Sequence, residues 1–376
     1  MNEALFDNDR TARPASSRLL LALRLDPPLL IGILAICTVG MMVLYSASGE
    51  SVDTLVRQAV RLGVGFGLML VIAQIPPQNF RLWTPWIYLV GIGLLVWVAV
   101  AGVVGQGAQR WIDLGFIRFQ PSEAMKIAVP MMVAWFIADR GLPVSLPRAL
   151  VALALALLPA AMIASQPDLG TALLVVAAGI FALFLAGLRW RWISAAAGMA
   201  AAVAPVAWMF MREYQRNRVL TFLNPENDPL GTGYHIIQSK IAVGSGGPYG
   251  KGWLNGTQAH LDFLPERSTD FVFAVFGEEF GLFGGVLLIL AYLFVVGRCL
   301  YIAAQAQDSY GRLLAGSLAL MLFVYVFVNI GMVVGLLPVV GIPLPLVSYG
   351  GTSMVTLLAA FGIIMSIRSH KRVFAP

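Results

Sequence analysis

The fold class that this sequence predicts is an all-α polytopic membrane protein. About ten transmembrane helices are expected, with a large ordered extracytoplasmic loop between helices 7 and 8. Three observations predict it. Of 376 residues, 59% are hydrophobic and 12% charged, with a mean hydropathy of +0.81, whereas soluble domains are about a quarter charged. That charge density cannot cover a watery surface of this size, so lipid must be the solvent for much of the chain. The apolar residues gather into runs of bilayer length, and arginines recur in alternate connections between them. This composition excludes a disordered protein, a disulfide scaffold and a nucleic-acid-binding domain. The net charge of +6 is spread between apolar spans rather than drawn into one basic stripe.

Taken in order, residues 1–28 form a polar, arginine-bearing tail without the long apolar core of a signal peptide. The expected spans are 29–46, 62–75, 82–104, 124–138, 149–164, 170–188, 193–211, 271–296, 314–336 and 354–367, the second and fourth being short and expected to be completed by flanking residues. Arg10, Arg13, Arg18 and Arg24 precede the first, and Arg81, Arg140, Arg148, Arg189, Arg191, Arg298 and Arg312 occupy alternate connections. Arg368, Lys371 and Arg372 mark the tail 368–376. Basic connections stay on the cytoplasmic side, which puts both termini there. The opposite face receives 106–123, 166–171, the long loop 212–270 and 338–353. A long loop rich in aromatics, glycine and paired charges is expected to be ordered and functional. The two cysteines, Cys37 and Cys299, read as small buried residues.

Charges near membrane depth are costly and mark candidate functional groups. Asp270 stands where the eighth span begins; its side chain suits a helix cap, or a general base whose pKa burial raises and Arg267 lowers. Glu278, about two turns deeper, suits a charge relay or a buried partner for Lys126 or an arginine. Glu123 and Lys126, three apart, share one helix face, either as an ion pair or with Lys126 turned to an anionic headgroup. Asp168 suits a helix cap before Gly170–Thr171. Arg216 and Arg218 suit a phosphate clamp, since guanidinium binds phosphate through a bidentate fork, or attraction to anionic membrane lipid. The glycine-rich stretch 244–252 has neither Walker nor Rossmann spacing. Three histidines and no clustered cysteine make a protein-built metal site an unlikely reading of the sequence. A loosely held Mg²⁺ or Mn²⁺, bridging a carboxylate and a substrate diphosphate, is compatible with it.

Several motifs, in order, resemble the SEDS family (shape, elongation, division and sporulation) over nearly the whole chain. They are Gln109–Ile112, Gln120–Glu123 with Lys126, Gln166–Thr171, Asn224–Pro225, Gly231–Ser239, Pro265–Phe271 and Ser348–Ser353. Residues 252–258 and the Pro265-Glu266-Arg267 form resemble the elongation branch more than the division branch. Ser268 departs from the histidine common there. The resemblance implies a peptidoglycan glycosyltransferase that polymerises lipid II at the outer face of a bacterial inner membrane, with Asp270 catalytic. It implies an inverting single displacement that releases undecaprenyl diphosphate, and a class B penicillin-binding protein as transpeptidase partner. Arg110, Trp111, Glu123, Lys126, Asp168, Arg216, Arg218 and Glu278 are the expected substrate-binding residues for lipid II and the growing lipid-linked strand. A lipid II flippase and a non-catalytic scaffold are the alternatives.

Overall fold

A computed structural model of the chain describes residues 23–105, 108–113, 115, 118–139, 141–211, 213–228, 231–260 and 266–370. Arg10, Arg13, Arg18, Arg140, Arg212, Lys371 and Arg372 lie outside the described residues, as do most of both tails. The order is α1 (Pro27–Ala47), α2 (Val52–Gln74), α3 (Pro77–Ala101), β1 (Val103–Gly105), β2 (Ala108–Asp113) and β3 (Arg118–Phe119). There follow α4 (Pro121–Ala138), α5 (Leu146–Ser165), α6 (Leu169–Leu185), α7 (Trp190–Phe210) and α8 (Glu213–Leu223). A 3₁₀ turn (Pro225–Asn227), α9 (Thr232–Ser245), α10 (Thr257–His260), α11 (Val272–Ala304), α12 (Ser309–Val333) and α13 (Thr352–Ser369) complete it.

Helix starts follow local chemistry. Asp26 caps α1 by accepting the Leu29 N–H at 2.9 Å, and Asp308 caps α12 through Gly311 N–H at 3.1 Å. Proline stands at the first helical positions of α1, α3, α4 and α5, where its missing N–H costs nothing. Each of the ten expected apolar segments coincides with a helix. Among the described residues, seven helices (α1, α2, α3, α5, α11, α12 and α13) are long and apolar enough to cross a membrane, and α6 is a shorter apolar helix.

Three expectations need correction. The second helix begins at Val52 rather than near residue 62, because its polar first turns are stabilised locally. Ser51 caps it, Arg57 pairs with Asp53, and buried Gln58 donates to the Ser348 carbonyl at 3.2 Å. The eighth helix runs to Ala304 rather than to residue 296; Arg298 reaches the buried Asp26 at 2.9–3.0 Å, tying α11 to the start of α1. The outer segment 106–123, for which the sequence predicts no strand, forms a small antiparallel sheet of order β1-β2-β3 with the end of the third expected span. The third helix therefore ends at Ala101, and Val104 belongs to β1.

The core lies where α12 packs on α4, α6 and α11 and where α13 packs on α2. Tyr310, Leu318, Met125 and Phe361 are buried there, and the two cysteines are buried and free. By contrast, α7 exposes Trp190, Met199, Val203 and Met209. The loop between α7 and α11 is structured, since α8, the 3₁₀ turn, α9 and α10 all belong to it.

The glycine-rich stretch has an architectural role that its spacing did not disclose. Helix α11 is broken at Gly281, whose φ of 66° and ψ of −163° are accessible essentially to glycine alone. The stretch docks at that break. Lys251 and Gly252 N–H donate to the Glu278 and Glu279 carbonyls at 3.0 and 2.9 Å, while Leu282 and Phe283 N–H donate to the Gly247 and Pro248 carbonyls at 2.9 and 3.1 Å. The loop backbone thus replaces the helix's own missing partners.

A pair of substitutions separates conformation from close approach. Gly247 and Gly250 both have positive φ. A Cβ at Gly247 meets nothing within 4 Å, whereas one at Gly250 stands 2.1 Å from the Glu279 carbonyl oxygen. Gly247→Ala should cost about 1–2 kcal/mol of backbone strain. Gly250→Ala should cost clearly more, because the loop must lift off the break. Apparent Tm in detergent measures both, and equal losses would show that the close approach does not matter.

Candidate active site

Residues 266–271 link the structured loop to α11 without regular structure. Glu266 has a positive φ and its carbonyl accepts from Thr269 and Phe271 N–H, so the segment is a tight turn. The residue capping α11 is Phe271, and no side chain caps that helix. The capping reading of Asp270 therefore does not hold in this structure. Thr269 does not cap either; its hydroxyl donates to the Glu266 carboxylate at 2.7 Å.

The Asp270 carboxylate lies against Gly341, with Oδ2 3.5 Å from where a Cβ would stand. Burial pushes its pKa up to about 6, nearby Glu266 adds to the rise, and Arg218 on α8 opposes it. A carboxylate so placed is still mostly ionised at neutral pH and has a useful proton affinity. Beside it, Phe271 stacks on His235 of α9, with ring centroids 5.6 Å apart.

Behind Asp270 stands a buried polar group within the core. Lys126 Nζ lies 2.7 Å from Glu123 Oε1 and donates to the Tyr325 hydroxyl at 3.2 Å. Tyr325 is close enough to feel the charges of Lys126, Glu123 and Asp270. The structure therefore brings Asp270, Arg218, Lys126, Glu123 and Tyr325 into one neighbourhood. Glu123 and Lys126 form the ion pair that their spacing allowed, and it is buried in the bundle.

The remaining expected residues join neighbouring elements. Arg110 on β2 donates to the Gln166 carbonyl at 2.9 Å and to the Pro167 carbonyl. Asp168 caps α6 through Thr171 N–H and accepts from Gln120 Nε2 at 2.9 Å. Three motifs separated in sequence are thereby joined. Trp111, partly buried, stands opposite Val103 in the β ladder. Arg216 donates to the Trp208 carbonyl at 3.0 Å and lies over that indole, so it binds the end of α7.

Glu278 is corrected too. Its partner is neither Lys126 nor an arginine but Lys251, at 2.6 Å, together with Thr257 and Gln258 N–H at 2.9 and 3.2 Å. It anchors the glycine-rich loop rather than facing Asp270.

Sequence reasoning missed Tyr325 and Asn329, and it named Ser348 only as part of the Ser348–Ser353 motif, with no role. Tyr325 and Asn329 stand four apart in an apolar helix, on one face, and polar residues at that depth are a legible signal. Asn329 is fully buried and donates to the Asp270 carbonyl at 2.9 Å.

Comparison with known proteins bears on what this arrangement does. A family model described as cell cycle protein, covering FtsW, RodA and SpoVE, matches residues 19–373. The chain is 53% identical over 352 residues to the peptidoglycan glycosyltransferase MrdB of Escherichia coli (strain K12), covering 93% of this chain and 95% of that one. Among solved structures it resembles a chain from work on the structural coordination of polymerization and crosslinking by a peptidoglycan synthase complex. The TM-score there is 0.81 at 33% identity, covering 92% of this chain and 99% of the other. The crystal structure of Thermus thermophilus rod shape determining protein RodA matches with a TM-score of 0.69 at 28% identity, covering 91% and 96%.

Proposed function

This chain belongs to the FtsW, RodA and SpoVE family of cell cycle proteins, and from that premise we propose that it is a peptidoglycan glycosyltransferase that polymerises lipid II. The chain forms one membrane domain of ten spans with 212–270 as its outer loop, and Asp270 faces the periplasm. The observation that carries the mechanism is a half-buried carboxylate at Asp270 that caps no helix, its pKa pushed up to about 6, beside the Lys126–Tyr325 pair.

The reaction is one displacement. Asp270 takes the proton from the C4 hydroxyl of the acceptor's N-acetylglucosamine. The freed oxygen attacks C1 of the donor's N-acetylmuramic acid, and the bond to undecaprenyl diphosphate breaks with its electron pair. Attack opposite the leaving group converts the α linkage to β-1,4. Diphosphate is a good leaving group, so no second carboxyl acid is needed, unlike ordinary glycoside hydrolysis. Lys126 and Arg218 stabilise the charge that develops on the diphosphate. Arg110 and Arg216 donate to backbone carbonyls and tie neighbouring elements together. Trp111 on β2 and Asp168 at the start of α6 flank the junction that Arg110 makes.

Among the described residues, no three of His, Cys, Asp and Glu stand together as a metal site. A Mg²⁺ or Mn²⁺, if bound, would be loosely held by a carboxylate together with the substrate diphosphate and would offset the leaving group's charge. A class B penicillin-binding protein is the proposed partner; the similar chain from a peptidoglycan synthase complex supports a crosslinking companion. The test is turnover of labelled lipid II by the purified chain, with and without that partner. Glycan strands digestible by muramidase are expected, and intact lipid II under both conditions would refute the reading.

Orientation has its own test, and both native cysteines are buried. In Asn227→Cys the thiol should react with an impermeant reagent added outside the cell. In Gln307→Cys, on the connection between α11 and α12, it should not. The reverse pattern would put Asp270 on the wrong side of the membrane.

A further inference from the structure

The segment that carries Asp270 forms no helix or strand, yet three consecutive carbonyls in it are held from outside. Tyr349 N–H donates to the Ser268 carbonyl at 2.8 Å. The Ser348 hydroxyl donates to the Thr269 carbonyl at 2.6 Å and accepts Leu344 N–H at 2.7 Å. The Asn329 amide donates to the Asp270 carbonyl at 2.9 Å and to the Ile342 carbonyl at 2.7 Å. One NH₂ group thus ties the peptide of Asp270 to the loop against which its carboxylate rests, since Gly341 directly precedes Ile342.

Burying an amide in an apolar helix is costly unless its hydrogen bonds are made. Asn329 is fully buried, and both of its donors are used on this junction. Ser348 is 3% exposed and its hydroxyl is used in the same way. Among the described residues neither side chain bonds to another side chain, and the Asn329 amide oxygen has no partner, so its two donors carry the whole of its bonding.

We propose that Asn329 and Ser348 are positioning residues, which fix the Asp270 carboxylate by clamping its own peptide and the one before it. The proposal rests on the reading of Asp270 as general base. Backbone freedom at residues 269–270 would displace the carboxylate from the acceptor hydroxyl, and a misplacement of about 1 Å can cost about 10²-fold in rate. Substrate binding, which relies on other groups, stays intact.

The pH profile provides a readout that mere loosening of the fold would not move. The charged and titratable groups acting on Asp270 are Glu266 from its own segment, Arg218 from α8 and Tyr325 from α12, with Lys126 behind Tyr325. None of them changes in Asn329→Leu or Ser348→Ala. A released carboxylate gains water, so its pKa falls from about 6 toward its ordinary value of 3.8. The acid limb of the rate profile then moves to lower pH.

The experiment measures lipid II polymerisation by the purified full chain with its partner, as kcat, KM and pH profile. Asn329→Leu, Ser348→Ala, Ser348→Thr and Asp270→Asn are compared. In Asn329→Leu and Ser348→Ala, kcat should fall by about 10- to 10²-fold with KM within about twofold and a lowered acid limb. Ser348→Thr, which keeps the hydroxyl, should recover most of what Ser348→Ala loses. If Asn329→Leu does not fold, Ser348→Ala alone decides. Parental kcat and pH profile in the folded variants, with Asp270→Asn inactive, would overturn the clamp and leave the base in place. A loss confined to KM, or one with an unmoved acid limb, would also overturn it. Turnover in Asp270→Asn would remove the base and the clamp together.

Discussion

Asp270→Asn should fold, enter the membrane and bind lipid II, yet lose about 10²–10⁴-fold in rate, the usual contribution of a positioned base. Asparagine keeps the shape of the side chain but cannot accept the acceptor's proton. Stability separates this from a structural defect. The folded-state pKa of Asp270 is raised, so between pH 3.8 and about 6 the folded protein keeps a proton that the unfolded chain has released. The group's contribution to stability therefore falls as pH rises through that window, and at neutral pH the charged form disfavours folding. Removing the charge should leave apparent Tm unchanged or higher, not lower. In the parent, the rate should rise with pH through about 6 and then level. A large fall in Tm with a proportional loss of activity would mark Asp270 as structural.

Lys126→Ala should also abolish turnover, and it leaves Glu123 buried without its counter-charge. Breaking a buried pair by removing one partner costs about 3–5 kcal/mol, so stability and activity fall together and the single variant is ambiguous. A double variant, Lys126→Met with Glu123→Gln, removes both charges and should restore much of the stability. Turnover should stay lost if Lys126 has the proposed role, because the cation assigned to the diphosphate charge is gone. Recovery of turnover in the folded double variant would reduce Lys126 to half of a structural pair. Arg191→Ala is the control. Arg191 lies over the Trp192 ring at 5.1 Å, near the start of α7, and its loss should change turnover by no more than a few-fold.

The apolar segments were legible because bilayer-length hydrophobicity is a local property of the chain. What escaped was polar or non-local. The first turns of α2 are polar, which lowers any hydropathy window over them, and buried Gln58 is held by the distant Ser348 carbonyl. The break at Gly281 is invisible without the loop that docks there. Glu278 finds Lys251 only because that loop folds back onto α11. At the candidate site, spacing left Asp270 divided between cap and base, and in the structure the capping position falls on Phe271 instead. Resemblance directed attention to Asp270 and Lys126. It gave no notice of Tyr325 or Asn329, although both polar residues stand openly within an apolar helix.

The central claim is that this chain joins sugars and does not merely carry or scaffold them. The most direct test places the purified parent and Asp270→Asn, each with its partner, in proteoliposomes containing labelled lipid II. Polymer formation and transbilayer movement are then read from the same vesicles. The account predicts muramidase-sensitive strands and release of undecaprenyl diphosphate from the parent, and neither from Asp270→Asn. Lipid II that crosses the bilayer without polymerising in the parent, or equal polymer from both proteins, would contradict it.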